Sequence, residues 1–317
     1  MTGVATVFEP QDGEENGVRI GIDLGGTKIS GVVLDDAGAV QTHLKRPSPR
    51  GDYGATLNAI RDLADELAGP DRPDMALGIG IPGTVSKRTG LVKNANSTWL
   101  IGKPLDRDIE SLTGRKVRVA NDADCFTLSE ATDGAGQGYR SVFGVILGTG
   151  VGGGLSVGGT LISGPNGIAG EWGHNPLPWT DPITDPRFAC YCGKSGCIET
   201  FLSGPALSAH HAHDAGEEIE AELIAAGDLP GRTASLARYA DRLARALAHV
   251  INLFDPDAIV LGGGLSQIKG LYKSVPARWG RYVFSDSVET PLLQNRHGSD
   301  SGVRGAAWLW PAAASGK

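Results

Sequence analysis

Two stretches of the chain repeat one local pattern, a strand followed by a glycine-rich turn and a second strand. In the first, VRIGIDL (18–24) alternates apolar and other residues, GGT turns the chain, and KISGVVL (28–34) returns. In the second, SVFGVIL (141–147) runs into the turn GTGVGGG and then LSVGG. Alternation with a period of two predicts strands with one buried face, so each stretch predicts a β-hairpin. One hairpin in each half of the chain indicates two related α/β domains that face a cleft.

The segments between and after the hairpins alternate further strands with helices. AVQTHL (39–44), KVRVA (116–120) and AIVLGGG (258–264) predict strands, whereas ATLNAIRDLADELAG (55–69) and ASLARYADRLARALAHVINLF (234–254) have apolar residues at helical spacing. We therefore predict a mobile tail over residues 1–17, a small α/β domain over 18–120 and a large α/β domain over 121–300. We also expect a C-terminal helix, about 301–317, to pack back on the small domain.

Composition excludes several functional classes. The chain has 29 Lys and Arg against 36 Asp and Glu, a net charge of −7, and no long basic run, so it lacks the clustered cations of a general nucleic-acid binder. No apolar run reaches the roughly 20 residues that cross a bilayer. The N-terminal stretch lacks the basic and apolar regions of a signal peptide, so we expect a cytoplasmic protein without membrane or nucleic-acid partners.

The glycine turns indicate a phosphate-binding site of a particular kind. GIGIPG (78–83) and GTGVGG (148–153) match GxGxxG, but no helix follows either, so a dinucleotide site is not expected, and a Walker loop is absent. DLGGTK places Asp23 at a strand end, before two glycines and Thr27. A carboxylate there can hold Mg²⁺ while turn N–H groups and a hydroxyl reach phosphate; the alternative is an ordinary hairpin turn.

A candidate general base follows another predicted strand. KVRVA is succeeded by NDADCF, which puts Asn121 and Asp122 at a strand end, where α/β folds place ligands. A carboxylate at this position can orient a hydroxyl group and accept its proton, and an Asn side chain can both donate to and accept from hydroxyl groups. The alternative is that these residues cap a helix that begins near Cys125.

Three of the four cysteines lie within eight residues, in CYCGKSGC (190–197). The chain is neither small nor apparently exported, which disfavours a disulfide framework, and the spacing is not CxxC. Three thiolates favour Zn²⁺ and need a fourth ligand, for which His174 in GEWGH is the natural choice. We predict a structural zinc site at Cys190, Cys192, Cys197 and His174, with three unligated thiols as the alternative. Cys125 is expected to be a buried, small apolar residue.

Six motifs in one order give a more specific indication. GIDLGGTK, NDADCF, ILGTGVGGG, GEWGH, CYCGKSGCIE and IVLGGG resemble the ROK family of bacterial sugar kinases, over residues 18 to 310. The resemblance implies a two-domain actin-like (ribonuclease H-like) fold that binds ATP, Mg²⁺ and a small-molecule sugar in an interdomain cleft. It also implies a homodimer. This chain departs from the NDAN motif that is common in the family because it has Asp124, which we leave out of the catalytic set.

The resemblance assigns roles to residues on both sides of the cleft. Phosphate and Mg²⁺ would be held by Asp23, Gly25, Gly26, Thr27 and Lys28, a second phosphate edge by Gly148, Thr149 and Gly150, and the adenosine by Gly262, Gly263 and Gly264. The sugar would contact Gly80, Pro82, Gly83, Asn96, Asn121, Asp122, Glu171, His174 and Glu199, with Asp122 as the catalytic base. One imidazole nitrogen of His174 would ligate zinc while the other faces a sugar hydroxyl.

Longer stretches suggest the sugar. GIPGTVSKRTGLVKNANSTWL, GEWGHNPLPW and SGVRGAAWLWP resemble the fructokinase (mannofructokinase) branch, which implies phosphorylation of fructose to fructose 6-phosphate. Glucose, mannose and N-acetylglucosamine are the alternatives within the class. A sugar-responsive transcription repressor is the alternative of another class. It is disfavoured because only 22 residues precede Asp23, the stretch is acidic and no recognition helix fits. Trp99 and Trp179 either wall the pocket or pack in the core, and the histidines at 210–213 are expected on a solvated helix face.

Overall fold

A computed structural model describes residues 17–226 and 230–310, so the predicted tail lies outside the described residues apart from Gly17. Twelve strands are present in the described part of the chain. They are β1 (Val18–Leu24), β2 (Lys28–Asp35), β3 (Val40–Pro47), β4 (Leu77–Ile81), β5 (Thr84–Val85), β6 (Val92–Lys93), β7 (Val117–Asn121), β8 (Ser141–Leu147), β9 (Val151–Val157), β10 (Thr160–Leu161), β11 (Ala258–Gly262) and β12 (Leu292–Gln294).

Ten α-helices connect or follow these strands within the described ranges. They are α1 (Tyr53–Ala68), α2 (Leu105–Thr113), α3 (Asp122–Thr132), α4 (Glu199–Leu202), α5 (Gly204–Ala215), α6 (Ala221–Ala225), α7 (Pro230–Phe254), α8 (Leu271–Ser274), α9 (Pro276–Trp279) and α10 (Ser301–Trp308). None of the helices described has the length and apolar character of a membrane span.

The two halves of the chain build sheets of the same topology. The first sheet has the order β3-β2-β1-β4-β7 and the second the order β10-β9-β8-β11-β12. In each, three antiparallel strands are followed by two parallel strands, starting from the two predicted hairpins β1–β2 and β8–β9. This repeat confirms the actin-like (ribonuclease H-like) two-domain α/β fold. The boundaries at residues 18–120 and 121–300 stay a prediction.

The first sheet is covered on both faces, which differs from the single buried face that its alternation predicted. Apolar residues of α1 and α2 pack against one face, and α10 lies against β1 and β4. A Cβ on Gly21 would overlap the carbonyl oxygen of Val303, and one on Gly78 would overlap that of Ala306. Helix α10 therefore packs on the first sheet at backbone distance. A C-terminal helix over about 301–317 stays a prediction, since residues 311–317 lie outside the described residues.

The second glycine turn is shorter than its sequence suggested. Only residues 148–150 form the turn, and the next three glycines lie inside β9. A Cβ on Gly154 would collide with Thr127 of α3, and one on Gly153 would lie 2.8 Å from the Trp172 ring. Because these glycines have no side chain, α3 and the Trp172 indole can pack directly against the backbone of the sheet. This requirement comes from tertiary packing and cannot be read from the local turn sequence.

We predict that Gly78→Ala lowers the free energy of unfolding by about 3 kcal/mol, the upper part of the range for overpacked cores, because its methyl group would overlap a helix carbonyl that no rotamer change can move. Gly280→Ala is the matched control, since a Cβ there meets no atom within 4 Å and the backbone φ is −56°. Urea unfolding of both variants measures the difference. Equal stability of the two would contradict the helix–sheet contact.

Candidate active site

A cleft of about 560 Å³ lies between the two sheets and collects residues from both halves of the chain. Eight residues that the sequence analysis selected line it: Asp23, Gly25, Gly26, Thr27, Pro82, Asn96, Asp122 and Gly263. The other selected residues do not line it: Lys28, Gly80, Gly83, Asn121, Gly148, Thr149, Gly150, Glu171, His174, Glu199, Gly262 and Gly264.

Parallel strands bring two carboxylates to one edge of the first sheet. Asp23 lies at the end of β1 opposite Gly80 of β4, and Gly80 in turn pairs with Ala120 of β7, just before Asp122. Carboxyl ends of parallel strands meet at one edge, which is where ligands bind in open α/β sheets. A Cβ on Gly80 would lie 3.2 Å from the Cys125 sulfur and 3.5 Å from the Asp23 carboxylate. The absence of a side chain at this position therefore leaves room for both groups.

Both carboxylates have raised pKa values. Poor hydration and, as the smaller cause, the neighbouring charge of Asp122 raise the pKa of Asp23 to about 7. The Asp122 side chain is exposed to the cleft, yet protein surrounds it, and this reduced hydration together with the charge of Glu171 outweighs its hydrogen bond from Ala123 and raises its pKa to about 6. A carboxylate with a pKa near neutrality is suited to accept a proton.

Asn121 acts as the helix cap, the alternative interpretation for this motif. Its Oδ1 accepts a 2.8 Å hydrogen bond from the Ala123 amide, and its Nδ2 donates to the Gly83 carbonyl at 3.1 Å. Both groups that the resemblance assigned to sugar hydroxyls therefore have backbone partners. The helix starts at Asp122, three residues earlier than the cap interpretation placed it.

Asp124 and Glu171 extend the acidic region beyond the cleft. Asp124 lines a separate cavity of about 160 Å³ together with Asn121, so it faces away from the main cleft. Its pKa is raised to about 7 by burial and then by the charges of Glu171 and Asp122. Within the described residues, its Oδ1 has no hydrogen-bond partner. Glu171 is exposed, and its charge reaches both aspartates.

Glu199 is attached to the second glycine turn. Its Oε2 accepts a 2.9 Å hydrogen bond from the Val151 amide, directly after residues 148–150. On the neighbouring strand end, Gly263 has φ = 81° and lines the cleft, and a Cβ on Gly262 would overlap the Phe126 ring. The glycines at 262–263 are therefore needed both for backbone conformation and for contact with α3.

Some cleft residues carried no recognisable sequence signal. Arg50 lies in the loop between β3 and α1, and Ser299 lies in the short 3-10 helix Gly298–Asp300; no motif marks either residue, although both line the cleft. Trp99 also lines it and donates a 3.2 Å hydrogen bond to Thr56, whereas Trp179 is 55% exposed and stacks on a tyrosine outside the cleft. Only Trp99 thus matches the pocket-wall alternative.

The predicted zinc ligands come together. One nitrogen or sulfur atom from each of His174, Cys190, Cys192 and Cys197 lies within 4.8 Å of the others. The Cys190 sulfur is 3.6 Å from Nδ1 of His174, and the sulfurs of Cys192 and Cys197 are 3.6 Å apart. Tetrahedral ligands at about 2.0–2.3 Å from Zn²⁺ would be about 3.3–3.8 Å apart, and the two 3.6 Å distances match that ion. Cys125, the remaining thiol, is fully buried as predicted.

Tyr191 contacts the second ring nitrogen of His174, the histidine of the predicted metal site. Its hydroxyl lies 2.9 Å from Nε2 of His174, and the two rings meet edge to face with centroids 5.1 Å apart. The nitrogen that was expected to face a sugar hydroxyl therefore has a protein partner. Nothing in the sequence marks this tyrosine beyond its position between two cysteines.

The loop that carries the cysteines is fastened to α7 by a buried ion cluster. Asp185 is 3% exposed and accepts hydrogen bonds from Arg242 at 2.9 Å and from Arg245 at 2.9 and 3.1 Å.

The prediction of solvated histidines was wrong for His210 and His211, which are 2% and 1% exposed. Their rings pack within α5 and its neighbours, so a polar sequence neighbourhood misled the burial assignment.

Comparison with known proteins identifies the family. The family model described as "ROK family" matches residues 19–313. The chain belongs to the ROK family. N-acetyl-D-glucosamine kinase of Yersinia pseudotuberculosis is 40% identical over 298 residues, which cover 91% of this chain and 97% of that protein.

Solved ROK structures share the fold. A ROK hexokinase from Thermus thermophilus is 30% identical with a TM-score of 0.79, covering 92% of this chain and 96% of that chain. A ROK glucokinase from Streptomyces griseus, in complex with glucose and AMPPNP, is 30% identical with a TM-score of 0.75 and covers 92% and 99%. The predicted family is confirmed, whereas none of these relatives supports the fructokinase branch.

Proposed function

We propose that the protein is an ATP-dependent kinase of N-acetylglucosamine that phosphorylates the primary 6-hydroxyl. The observation that carries the proposal is the 40% identity to an N-acetyl-D-glucosamine kinase over nearly the full length of both chains. This favours one of the alternative sugars over fructose, the first expectation from sequence. The solved glucokinase that holds glucose and AMPPNP supports ATP as the phosphoryl donor.

In this proposal the cleft residues divide the work between sugar and nucleotide. Asp122 orients the acceptor hydroxyl and takes its proton as phosphoryl transfer proceeds, and its pKa of about 6 keeps it ionised at neutral pH. Asp23 would hold Mg²⁺, which neutralises phosphate charge when bound, and the turn of Gly25, Gly26 and Thr27 would hold phosphate oxygens. Asn96 and Pro82 would contact the sugar from the facing wall.

The zinc site has a structural role in this proposal. His174, Cys190, Cys192 and Cys197 would complete a four-ligand set, which leaves no open position for catalysis. His174 ends the short 3-10 helix Trp172–His174, directly after Glu171, and Glu199 follows Cys197 by two residues. Zinc would thereby fix the segments that carry both glutamates. A cytoplasmic location and a homodimer stay predictions.

A panel of sugars tests the substrate. We expect N-acetylglucosamine to give the highest kcat/KM with ATP and Mg²⁺ when glucose, mannose, fructose and N-acetylglucosamine are compared at equal concentrations. A coupled ADP assay measures the rates. A higher value for fructose would restore the first expectation from sequence. Absence of turnover with every sugar would reject the kinase proposal and leave the repressor alternative.

The pH profile and one substitution test the base. We expect kcat/KM for the sugar to rise with pH through an apparent pKa of about 6, because the carboxylate must be ionised to accept a proton. Asp122→Asn should lower kcat by about 10²–10⁴-fold, remove this acid limb and preserve sugar binding. Asp286→Asn, at an exposed position that does not line the cleft, is the control. Near-normal turnover by the Asp122 variant would remove it from the base role.

Metal removal tests the structural site. We expect one Zn²⁺ per chain, lost from Cys192→Ser but retained by Cys125→Ser, whose thiol lies outside the cluster. In the metal-depleted protein the affinity for the sugar should fall more than that for MgATP, because the ligands flank Glu171 and Glu199 rather than the glycine turn at 25–27. Metal analysis and calorimetry measure both. An equal loss of the two affinities in a folded protein would contradict the assigned role.

A further inference from the structure

Negatively charged side chains outnumber positively charged ones in the lining of the cleft. Asp23 and Asp122 both line it, and their mutual repulsion contributes to the raised pKa of Asp23. Among the described residues, Arg50 is the one Lys or Arg that lines the cleft. A triphosphate that enters this space needs cations to offset both its own charge and these carboxylates.

The loop that carries Arg50 is joined to the first glycine turn by two hydrogen bonds. The Ser48 amide donates to the Thr27 carbonyl at 3.0 Å, and Nε of Arg50 donates to the Gly26 carbonyl at 2.9 Å. These bonds hold the Arg50 guanidinium beside the glycine turn. Within the described residues, neither Nη atom of Arg50 has a hydrogen-bond partner, so four N–H groups remain available to a ligand.

Lys28 does not occupy this position. It lies at the start of β2, is exposed, and is absent from the cleft lining, although the family resemblance had assigned it to the nucleotide. Arg50, twenty-two residues later, is brought to the turn by the β3–α1 connection. A guanidinium also suits the task better than an ammonium, because its planar fork binds two phosphate oxygens at once.

We propose that Arg50 is a phosphate-binding residue of the catalytic cleft, held by Gly26 so that its free Nη groups contact the terminal phosphates of the nucleotide. The inference rests on the proposed kinase function for the identity of its ligand, MgATP. It adds a positive charge where negative charge must be accommodated during phosphoryl transfer.

Calorimetry with MgATP, MgADP and adenosine tests the proposal without requiring turnover. We expect Arg50→Gln to weaken MgATP binding by about 10- to 100-fold, the loss expected for charge-assisted hydrogen bonds, and to leave adenosine binding unchanged. Arg50→Lys, which keeps the charge but lacks the fork, should fall between. Arg46→Gln is the matched control, since Arg46 pairs with Glu66 on the surface of β3 outside the cleft.

Three outcomes would overturn the proposal. The first is wild-type affinity of Arg50→Gln for MgATP. The second is an equal loss of affinity for MgATP and for adenosine, which would indicate a distorted turn. The third is a loss of MgATP affinity in Lys28→Gln instead of Arg50→Gln. Failure of the kinase proposal is separable, because it would appear as absence of turnover in the sugar panel while Arg50→Gln still loses MgATP. A wild-type protein that binds no MgATP would reject both.

Discussion

The backbone-distance contact of α10 with the first sheet and with α3 is the constraint on which the site depends. Gly21 and Gly78 admit α10 to the sheet, and a Cβ on Gly305 would overlap the Cys125 carbonyl of α3. Because α3 begins at the end of β7 and packs through Thr127 on the glycines of β8 and β9, it joins the two sheets directly. Asp122, the first residue of this helix, is thereby placed at the meeting point of both halves. Side chains at the glycine positions would separate the helices and move the carboxylate.

Electrostatics differ at the two ends of α3. At its C-terminal end burial acts against the charged form of Asp133, but hydrogen bonds from His297, Arg304 and Trp308 outweigh it and lower the pKa. At the N-terminal end a helix favours anions, yet Asp122 and Asp124 have no cationic partner among the described residues. Poor hydration and the charge of Glu171 raise the pKa values of both, and the charge of Asp122 adds to the effect on Asp124. The satisfied end fixes α3 against α10, and the unsatisfied end is left for a ligand.

The sequence predicted what depends on local pattern and missed what depends on packing. Both hairpins, the strands β7 and β11 and the Cys₃His cluster follow from periodicity and spacing, and the positions of Asp23 and Asp122 at strand ends selected them as candidates. The glycines of β9, the second covered face of β1 and the hydrogen bond from Asn121 to the Gly83 carbonyl depend on segments that approach only after folding. Arg50 was missed for the same reason, because its loop resembles any polar connection until the turn at Gly26 is seen beside it.

The raised pKa values determine how a divalent metal ion and the Arg50 guanidinium would act together in this cleft. Near neutral pH, Asp23 with a pKa of about 7 is partly protonated without a ligand, so a metal ion that binds its carboxylate must displace a proton. Removing that proton adds a negative charge beside Asp122. The two carboxylates would then repel the phosphate groups of a nucleotide that carried no metal ion. A divalent ion bound with the nucleotide, together with the guanidinium at the glycine turn, offsets both charges at once. In the proposed function the charges of the cleft would therefore be balanced only when metal and nucleotide bind together, and Asp122 would then be the carboxylate left free to receive the proton of the acceptor hydroxyl.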